Sequence, residues 1–308
     1  MSASIHRRGF LNAAGVGAAL GMAGRTAAAG AGMFVSLNAT LTRKTAWPDF
    51  ARLAARMGYG GADVNLAASM KEGPDATRAL FAELRIRPGI VSLPVGFGRD
   101  EETFQTGMKQ LDEAAKFASA IGCPRMMTVL SPSSQSPKTE WRKILKTRLA
   151  AISEILGRSK IRLGLEFLGP LHMRTRLPHE FIWRMDETVE FAAECGPNLG
   201  VTLDAWHWHH AGATAADIVA AGKSRIVHVH VSDAAKTAPE DVRDNQRLMP
   251  GEGVINLTAF FQALHRIGYE DAVSPEPLGR IGPDVSPEDA ARLGLETTLG
   301  VMRKAGAV

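Results

Sequence analysis

The sequence predicts an α/β protein with the (β/α)₈ architecture of a TIM barrel in a single domain. From Met33 onward, short β-rich apolar runs alternate with stretches of helical periodicity. Roughly 279 residues follow the N-terminal segment described below, which gives about 35 for each of eight βα units and is close to the usual size of such a barrel. Neither a linker nor a low-complexity stretch divides the chain, so residues 30–308 are interpreted as one domain.

Apolar runs predict the strands of the barrel, and amphipathic segments predict its helices. The predicted strands are Phe34–Asn38, Gly61–Asn65, Gly89–Leu93, Arg125–Leu130, Arg162–Phe167, Leu199–Leu203, Ile226–Val231 and Ala272–Glu276. The amphipathic segments between them predict helices, among them Trp47–Met57 with Pro48 in its first turn, Thr103–Ile121, Trp141–Leu156, Asp186–Glu194 and Leu257–Ile267. The order of these signals predicts a parallel sheet.

Composition and motifs exclude several classes of protein. With 45% hydrophobic and 22% charged residues, the chain resembles neither a disordered nor a polytopic membrane protein. The cysteines, Cys123 and Cys195, are too few for a disulfide framework. No Gly-x-Gly-x-x-Gly follows the first strand and no Walker loop is found, which disfavours a doubly wound nucleotide-binding fold. Arg7, Arg8 and Arg25 account for most of the net charge of +4, and without them the charge is +1, so no nucleic-acid partner is expected.

Residues 1–29 have the pattern of an export signal. A basic start at His6–Arg8 precedes a weakly apolar stretch, Phe10–Ala23, and the small residues Ala27–Ala29 suit signal peptidase. The run Arg7–Leu11 resembles a twin-arginine signal, which implies a periplasmic or secreted protein that is exported folded. No stable membrane association is expected after cleavage. The alternative is an ordinary basic N-terminus.

Four polar residues stand at the C-terminal ends of four late strands: Glu166, Asp204, His230 and Glu276. Reacting groups of a (β/α)₈ barrel come from these strand ends. Because side chains alternate along a strand, each of the four lies on the face opposite the large apolar residues of its strand, and so is predicted to point into the barrel. Three carboxylates and one imidazole would be costly there unless paired, which predicts one divalent metal ion. The alternatives are a buried network of acids and histidine, or solvated strand ends.

On these residues the chain resembles the xylose isomerase-like family of barrels, which includes ketose 3-epimerases, hydroxypyruvate isomerase, and inosose and dehydroshikimate dehydratases. The segments that carry the resemblance are Gly164–Glu166, Leu203–His207, Val227–Asp233, Arg247–Gly253 and Ser274–Pro277. The resemblance implies that Glu166, Asp204, His230 and Glu276 bind one divalent metal. We favour Mn²⁺, with Mg²⁺, Co²⁺ or Zn²⁺ as alternatives.

The epimerase resemblance further implies roles for individual side chains. Glu166 and Glu276 would be the acid and base, and His207 and an arginine near the seventh strand would hold substrate oxygens. We take Arg247 as that arginine, with a surface salt bridge as its alternative. His172, six residues after Glu166, stands where the epimerases place a second Glu, and we expect it to contact the substrate.

Three neighbours of the strand ends have two interpretations each. Trp206 offers an apolar face to a sugar ring or packs at the barrel rim. His228, one layer below His230, is expected to support it rather than to bind metal. Asp233 orients His230 or caps the loop that follows.

The function favoured by these predictions is a metal-dependent isomerase or epimerase of a free sugar or keto-sugar. It would act through an enediolate, with the glutamate pair moving the proton. A dehydratase or lyase acting on a keto-sugar or inosose is the second candidate. A non-catalytic exported sugar-binding protein and a multi-metal endonuclease are further alternatives, the last disfavoured because residues 33–165 contain no histidine. The expected partner is a small sugar, and a homo-oligomer is left open.

Overall fold

In the computed structural model, which describes residues 32–42 and 45–308, eight parallel strands close into a barrel. The strands are β1 (Phe34–Leu37), β2 (Gly61–Val64), β3 (Arg87–Ser92), β4 (Arg125–Leu130), β5 (Arg162–Phe167), β6 (Leu199–Asp204), β7 (Ile226–Val231) and β8 (Ala272–Pro275). Each strand pairs with its neighbours in the chain, and β8 pairs with β1. The predicted (β/α)₈ fold is confirmed, and the strand bounds differ from the predicted ones by at most two residues.

Helices connect the strands. They are α1 (Asp49–Met57), α2 (Leu66–Glu72), α3 (Pro74–Leu84), α4 (Glu101–Ala120), α5 (Lys138–Arg158), α6 (Leu171–Arg174), α7 (Met185–Cys195), α8 (Ala205–His210), α9 (Ala215–Ala221), α10 (Leu257–Arg266) and α11 (Pro287–Lys304). The predicted helices all form, with bounds that differ from the predicted ones by up to three residues. For example, α4 begins at Glu101 because the Asp100 carboxylate accepts the N–H of Thr103 at 2.9 Å.

The candidate export signal over residues 1–29 lies outside the described residues. Among the helices of the described part, none combines the length and the apolar character needed to cross a membrane.

The outward faces of the strands form the core between barrel and helices. Fully buried examples on β5 and β7 are Leu163, Leu165, Phe167, Val227, Val229 and Val231. Inside the barrel, space is so limited that a Cβ at Gly164 would lie 2.3 Å from Oγ1 of Thr202. Glycine at this inward position therefore lets β5 and β6 approach, one layer below the polar ends of the two strands.

A buried arginine closes the N-terminal end of the barrel. Arg125, 5% exposed, donates through Nε to the carbonyl of Gly89 at 2.7 Å and forms an ion pair with Asp271, which precedes β8. The guanidinium thereby connects strands on opposite sides of the barrel. Such contacts at this end of a TIM barrel serve stability.

At the opposite end, two loops form a small wall. Ser133–Ser134, after β4, pairs antiparallel with His179–Glu180, after β5. The amide of Phe181 also donates to the carbonyl of Pro132 at 2.7 Å. This hydrogen-bonded ribbon lies beside the barrel mouth.

Candidate active site

The four predicted strand-end residues converge inside the barrel mouth. Glu166 lies near the end of β5, Asp204 ends β6, His230 lies near the end of β7 and Glu276 follows β8 directly. Their side-chain ligand atoms all lie within 4.8 Å of one another. Asp204 pairs with His230 in the strand register, which places them in one layer. The cluster is buried, with the Glu276 side chain the most accessible at 16% exposure.

His230 lies between two of the carboxylates. Its Nδ1 is 2.8 Å from Oε1 of Glu166 and 3.6 Å from Oε2 of Glu276. Burial alone would lower the pKa of His230, but the negative charges of Glu276 and Glu166 outweigh it and raise the pKa to about 10. In this arrangement the imidazole is protonated and is one of two cations that balance the acids.

Arg247 is the other cation, and it lies inside the cluster rather than on the surface. Its residue is 2% exposed, and Nη1 lies 2.7 Å from Oδ2 of Asp204 and 3.1 Å from Oε2 of Glu276. Nε and Nη2 both donate to Oδ1 of Asp244, at 2.9 and 2.6 Å. The surface-salt-bridge alternative for Arg247 is therefore wrong: the loop after β7 folds back over the barrel and carries this side chain inward.

Asp204 and Glu276, two of the three acids of the cluster, have different environments. Burial raises the pKa of Asp204, but Arg247, His207 and His230 more than compensate and hold it below its ordinary value. Burial raises the pKa of Glu276 to about 7, because His230 and Arg247 offset only part of the desolvation. Asp204 is therefore firmly ionised, while Glu276 exchanges its proton near neutral pH.

His207 reaches the cluster because α8 begins directly after Asp204. Oδ1 of Asp204 accepts the N–H groups of Trp206 and His207 at 2.7 and 3.2 Å, which caps the helix. Burial lowers the pKa of His207 to about 4, so the ring is neutral and its Nε2 accepts from Nη2 of Arg247 at 3.1 Å. Nδ1 of His207 is buried and makes no hydrogen bond within the described residues.

For Trp206 and for Asp233, the contacts in the structure decide between the two interpretations of the residue. The Trp206 residue is 2% exposed, and its ring packs beneath the guanidinium of Arg247 at 4.7 Å, an arrangement that favours packing. Asp233 accepts from the amides of Ala234 and Ile255 at 2.9 Å and of Gly251 at 3.0 Å. Its carboxylate thus organises the loop that bears Arg247, and this favours the capping interpretation.

His228 and His172, the other two histidines predicted for the site, are not among the four residues of the cluster. His228 is fully buried, its ring lies edge-on to that of His230 at 4.9 Å, and neither nitrogen has a partner within the described residues. Burial lowers its pKa well below the ordinary value. His172 lies on α6, and its partly buried ring is near Arg243 and Asp244 rather than in the cluster.

Sequence reasoning missed Asp63, which lies on β2 and lines the cavity at the barrel mouth. Its Oδ1 accepts from the hydroxyls of Ser36 at 2.7 Å and Ser274 at 2.9 Å, and Oδ2 from Asn38 at 3.1 Å. Burial raises the pKa of Asp63 to about 6, with the hydroxyl of Ser36 opposing part of that increase. The sequence does contain an indication that Asp63 points into the barrel, because it alternates with the apolar Ala62 and Val64 in a predicted strand.

A cavity of about 780 Å³ opens above the cluster. Glu276 and His230 line one side, Asp63, Asn38 and Asn65 supply polar groups, and apolar side chains complete the lining. The apolar members include Trp47, Phe50, Leu66 and Met70. A cavity of this size and mixed character suits a small polyhydroxylated molecule.

The cluster fits a divalent cation. Its donors are three carboxylates and one imidazole, the hard oxygen-rich set that Mg²⁺, Mn²⁺ and related ions bind. The contacts between His230 Nδ1 and the two glutamates show that these donors already face a common centre. Glu166, Asp204, His230 and Glu276 are the residues that would hold the ion.

Comparisons with known proteins support this architecture. Residues 51–303 match the family model described as xylose isomerase-like TIM barrel. A solved structure of a xylose isomerase domain protein from Alicyclobacillus acidocaldarius is 28% identical, has a TM-score of 0.82, and covers 89% of this chain and 99% of its own.

Two curated relatives extend the comparison at the level of sequence. The inosose isomerase of Halalkalibacterium halodurans is 27% identical over 233 residues, 75% of this chain and 80% of that protein. The putative hydroxypyruvate isomerase of Homo sapiens is 23% identical over 252 residues, 75% of this chain and 85% of that protein.

Proposed function

Because the chain belongs to the xylose isomerase-like TIM barrel family, we propose that it is a divalent-metal-dependent isomerase or epimerase of a keto-sugar or a cyclic polyol ketone. The observation that carries this proposal is the convergence of Glu166 and Glu276 on one centre beside Asp204 and His230, at the base of a cavity of sugar size. The similarity to an inosose isomerase supports the substrate class. Export through the N-terminal signal is part of the proposal and favours an unphosphorylated substrate.

The glutamate pair supplies the proton chemistry. Glu166 and Glu276 project from strands separated by β6 and β7, and both reach His230. Carboxylates on two sides of a reacting carbon allow one to remove the proton next to a carbonyl and the other to return it. Return to the opposite face inverts the centre, and return to the neighbouring carbon moves the carbonyl.

Other side chains hold the substrate. Arg247 and neutral His207 lie against the cluster, where they can contact oxygens on the reacting carbons. When bound, the divalent ion adds positive charge that stabilises the enediolate left by proton removal. The buried setting strengthens each of these electrostatic contacts.

The test combines metal content with proton exchange. We expect about one divalent ion per chain by elemental mass spectrometry of the purified protein, as the four-ligand site implies. We also expect solvent deuterium to enter the carbon next to the carbonyl of an inosose or a ketohexose, which NMR detects. Loss of a hydroxyl instead would indicate the dehydratase alternative, and metal binding without exchange of any keto-sugar would indicate a binding protein.

A further inference from the structure

A second cavity adjoins the candidate active site. It has a volume of about 730 Å³ and lies over β3 and β4 at the same end of the barrel. Ser92, Leu93 and Met127 line both this cavity and the one that contains Asp63. The two cavities therefore meet along these strands, and we call the second one the serine-lined cavity.

Each of the two proposed proton-transfer groups lies beside one of the cavities. Glu276 lines the first cavity directly. Glu166 pairs in register with Val129 of β4, so the two side chains leave the sheet on the same face. Val129 lines the serine-lined cavity, and at 46% exposure it presents an apolar surface next to Glu166. A molecule reacting at the cluster has room to extend past Val129.

The outer wall of the serine-lined cavity is preformed. Ser133 and Ser134 line it, and backbone pairing with His179–Glu180 fixes their position. The hydroxyls of Ser131, Ser133 and Ser134 donate to backbone carbonyls at 2.8, 3.0 and 2.6 Å. Since their protons are committed to the protein, these oxygens face a ligand as hydrogen-bond acceptors.

The rest of the lining complements a ring that carries hydroxyls. Trp141 and Phe97 supply aromatic surface. Arg99 and Arg176 also line the cavity, and neither guanidinium has an acidic partner among the described residues. They can donate to ligand oxygens, while the serine hydroxyls accept.

We propose that the substrate is a glycoside, in which the keto-sugar at the cluster carries a second ring that lies in the serine-lined cavity. This inference rests on the proposed function of the cluster. Each cavity falls within the range of about 300–1,000 Å³ that takes a whole small ligand, so a single sugar ring leaves one of them empty. Arg99 and Arg176 could also bind a phosphate group, but the serine protons point at backbone carbonyls and Phe97 and Trp141 add aromatic surface, features that complement a ring bearing hydroxyls.

The first experiment measures binding without turnover. Calorimetric titration of the metal-loaded protein compares a hexitol with a glycosyl hexitol, two unreactive ligands that differ by one ring. We expect the glycosyl hexitol to bind at least about tenfold more tightly, since the second ring adds contacts at a preformed surface. Equal affinities would overturn the inference.

A cavity-filling variant tests whether the tighter binding of the glycosyl hexitol arises in the serine-lined cavity. Gly98 lines the serine-lined cavity, and the nearest atom to a Cβ placed there belongs to Trp141 at 4.0 Å. Gly98→Trp should therefore fill the cavity and abolish the tenfold preference, with hexitol binding unchanged. Gly300→Trp, at an exposed glycine of α11 with no atom within 4 Å, is the matched control and should bind as the wild type does.

Proton exchange separates the two proposals. A ketohexose and a 6-O-glycosyl ketohexose should both exchange with solvent deuterium, and Gly98→Trp should impair only the second. Loss of both to the same degree in Gly98→Trp would contradict the second-ring site. Absence of exchange with both ketoses, together with retained preference for the glycosyl hexitol, would support that site and contradict the proposed reaction.

If a hexitol phosphate instead binds more tightly than the glycosyl hexitol, and Arg176→Ala removes this difference, the cavity is an anion site and the inference fails.

Discussion

At the scale of single residues, the cluster combines groups whose charges depend on one another. His230 and Arg247 balance three carboxylates that would otherwise be buried without compensation. Asp204 differs from the glutamates in that two backbone amides hold its carboxylate, in addition to Arg247, which also contacts Glu276. In the proposed mechanism, Asp204 therefore serves metal binding alone, and Glu166 and Glu276 transfer the proton.

We predict that Glu166→Gln and Glu276→Gln each reduce deuterium incorporation at least about 100-fold, because an amide cannot exchange the proton that general acid–base catalysis requires. Circular dichroism should show a folded barrel in both variants. Glu252→Gln, which changes a partly exposed glutamate paired with Arg280, is the control and should exchange normally. Retained exchange in either active-site variant would remove that residue from the acid–base pair.

Substitution of His172, after β5, and of His230, on β7, should have different effects. His230→Ala removes a predicted metal ligand, so the metal content of the protein should fall to a small fraction of one per chain. His172→Ala should retain the metal and alter the preference among keto-sugars, because His172 lies outside the cluster. Elemental mass spectrometry and a substrate panel measure the two effects. Equal loss of metal in both variants would contradict this assignment of ligands.

At the scale of elements, strands could be predicted and long-range loop placement could not. The eight strands are fixed by local apolar runs, and alternation correctly directs the four polar residues inward. The position of Arg247 depends instead on how the loop after β7 folds back on Asp233 and Asp204, which no local pattern encodes. The hydrogen-bonded ribbon of Ser133–Ser134 and His179–Glu180 likewise forms by pairing between two loops distant in sequence.

The Asp233 carboxylate provides a test of this loop. We predict that Asp233→Ala leaves three backbone amides without their acceptor and destabilises the chain by about 1–3 kcal/mol, the usual penalty for unsatisfied buried donors. Urea unfolding measures the loss, and hydrogen exchange should show it concentrated between Ser232 and Ile255. Asp241→Ala, in the exposed part of the same loop, is the control. Uniform exchange across the barrel in Asp233→Ala would contradict a local role.

At the scale of the whole molecule, the barrel buries an acidic centre. The unfavourable desolvation of its charged groups can be offset by a bound divalent cation. Burial raises the pKa of Glu276 to about 7, and the neighbouring acids raise that of His230 to about 10 against its own burial. Both groups bind protons more strongly in the folded than in the unfolded chain. Stability that depends on them is therefore greatest in acid and declines as the pH rises from about 5 through about 7 for Glu276, and further toward 10 for His230.

A divalent ion should reverse this trend. The ion competes with the protons on His230 and Glu276, so its binding strengthens as the pH rises. We predict that in chelator the unfolding free energy of the wild type, taken relative to that of Glu276→Gln, is lower at pH 8 than at pH 6, and that the metal raises the wild-type value by about 2.7 kcal/mol when its concentration is 100 times the dissociation constant. The increase at a fixed metal concentration should be larger at pH 8. Chemical unfolding of wild type and Glu276→Gln measures both effects, and the variant should show a flatter pH dependence in chelator. An equal increase at both pH values would mean that the ion binds away from these two groups, because a site that displaces their protons must bind the ion more tightly as the pH rises.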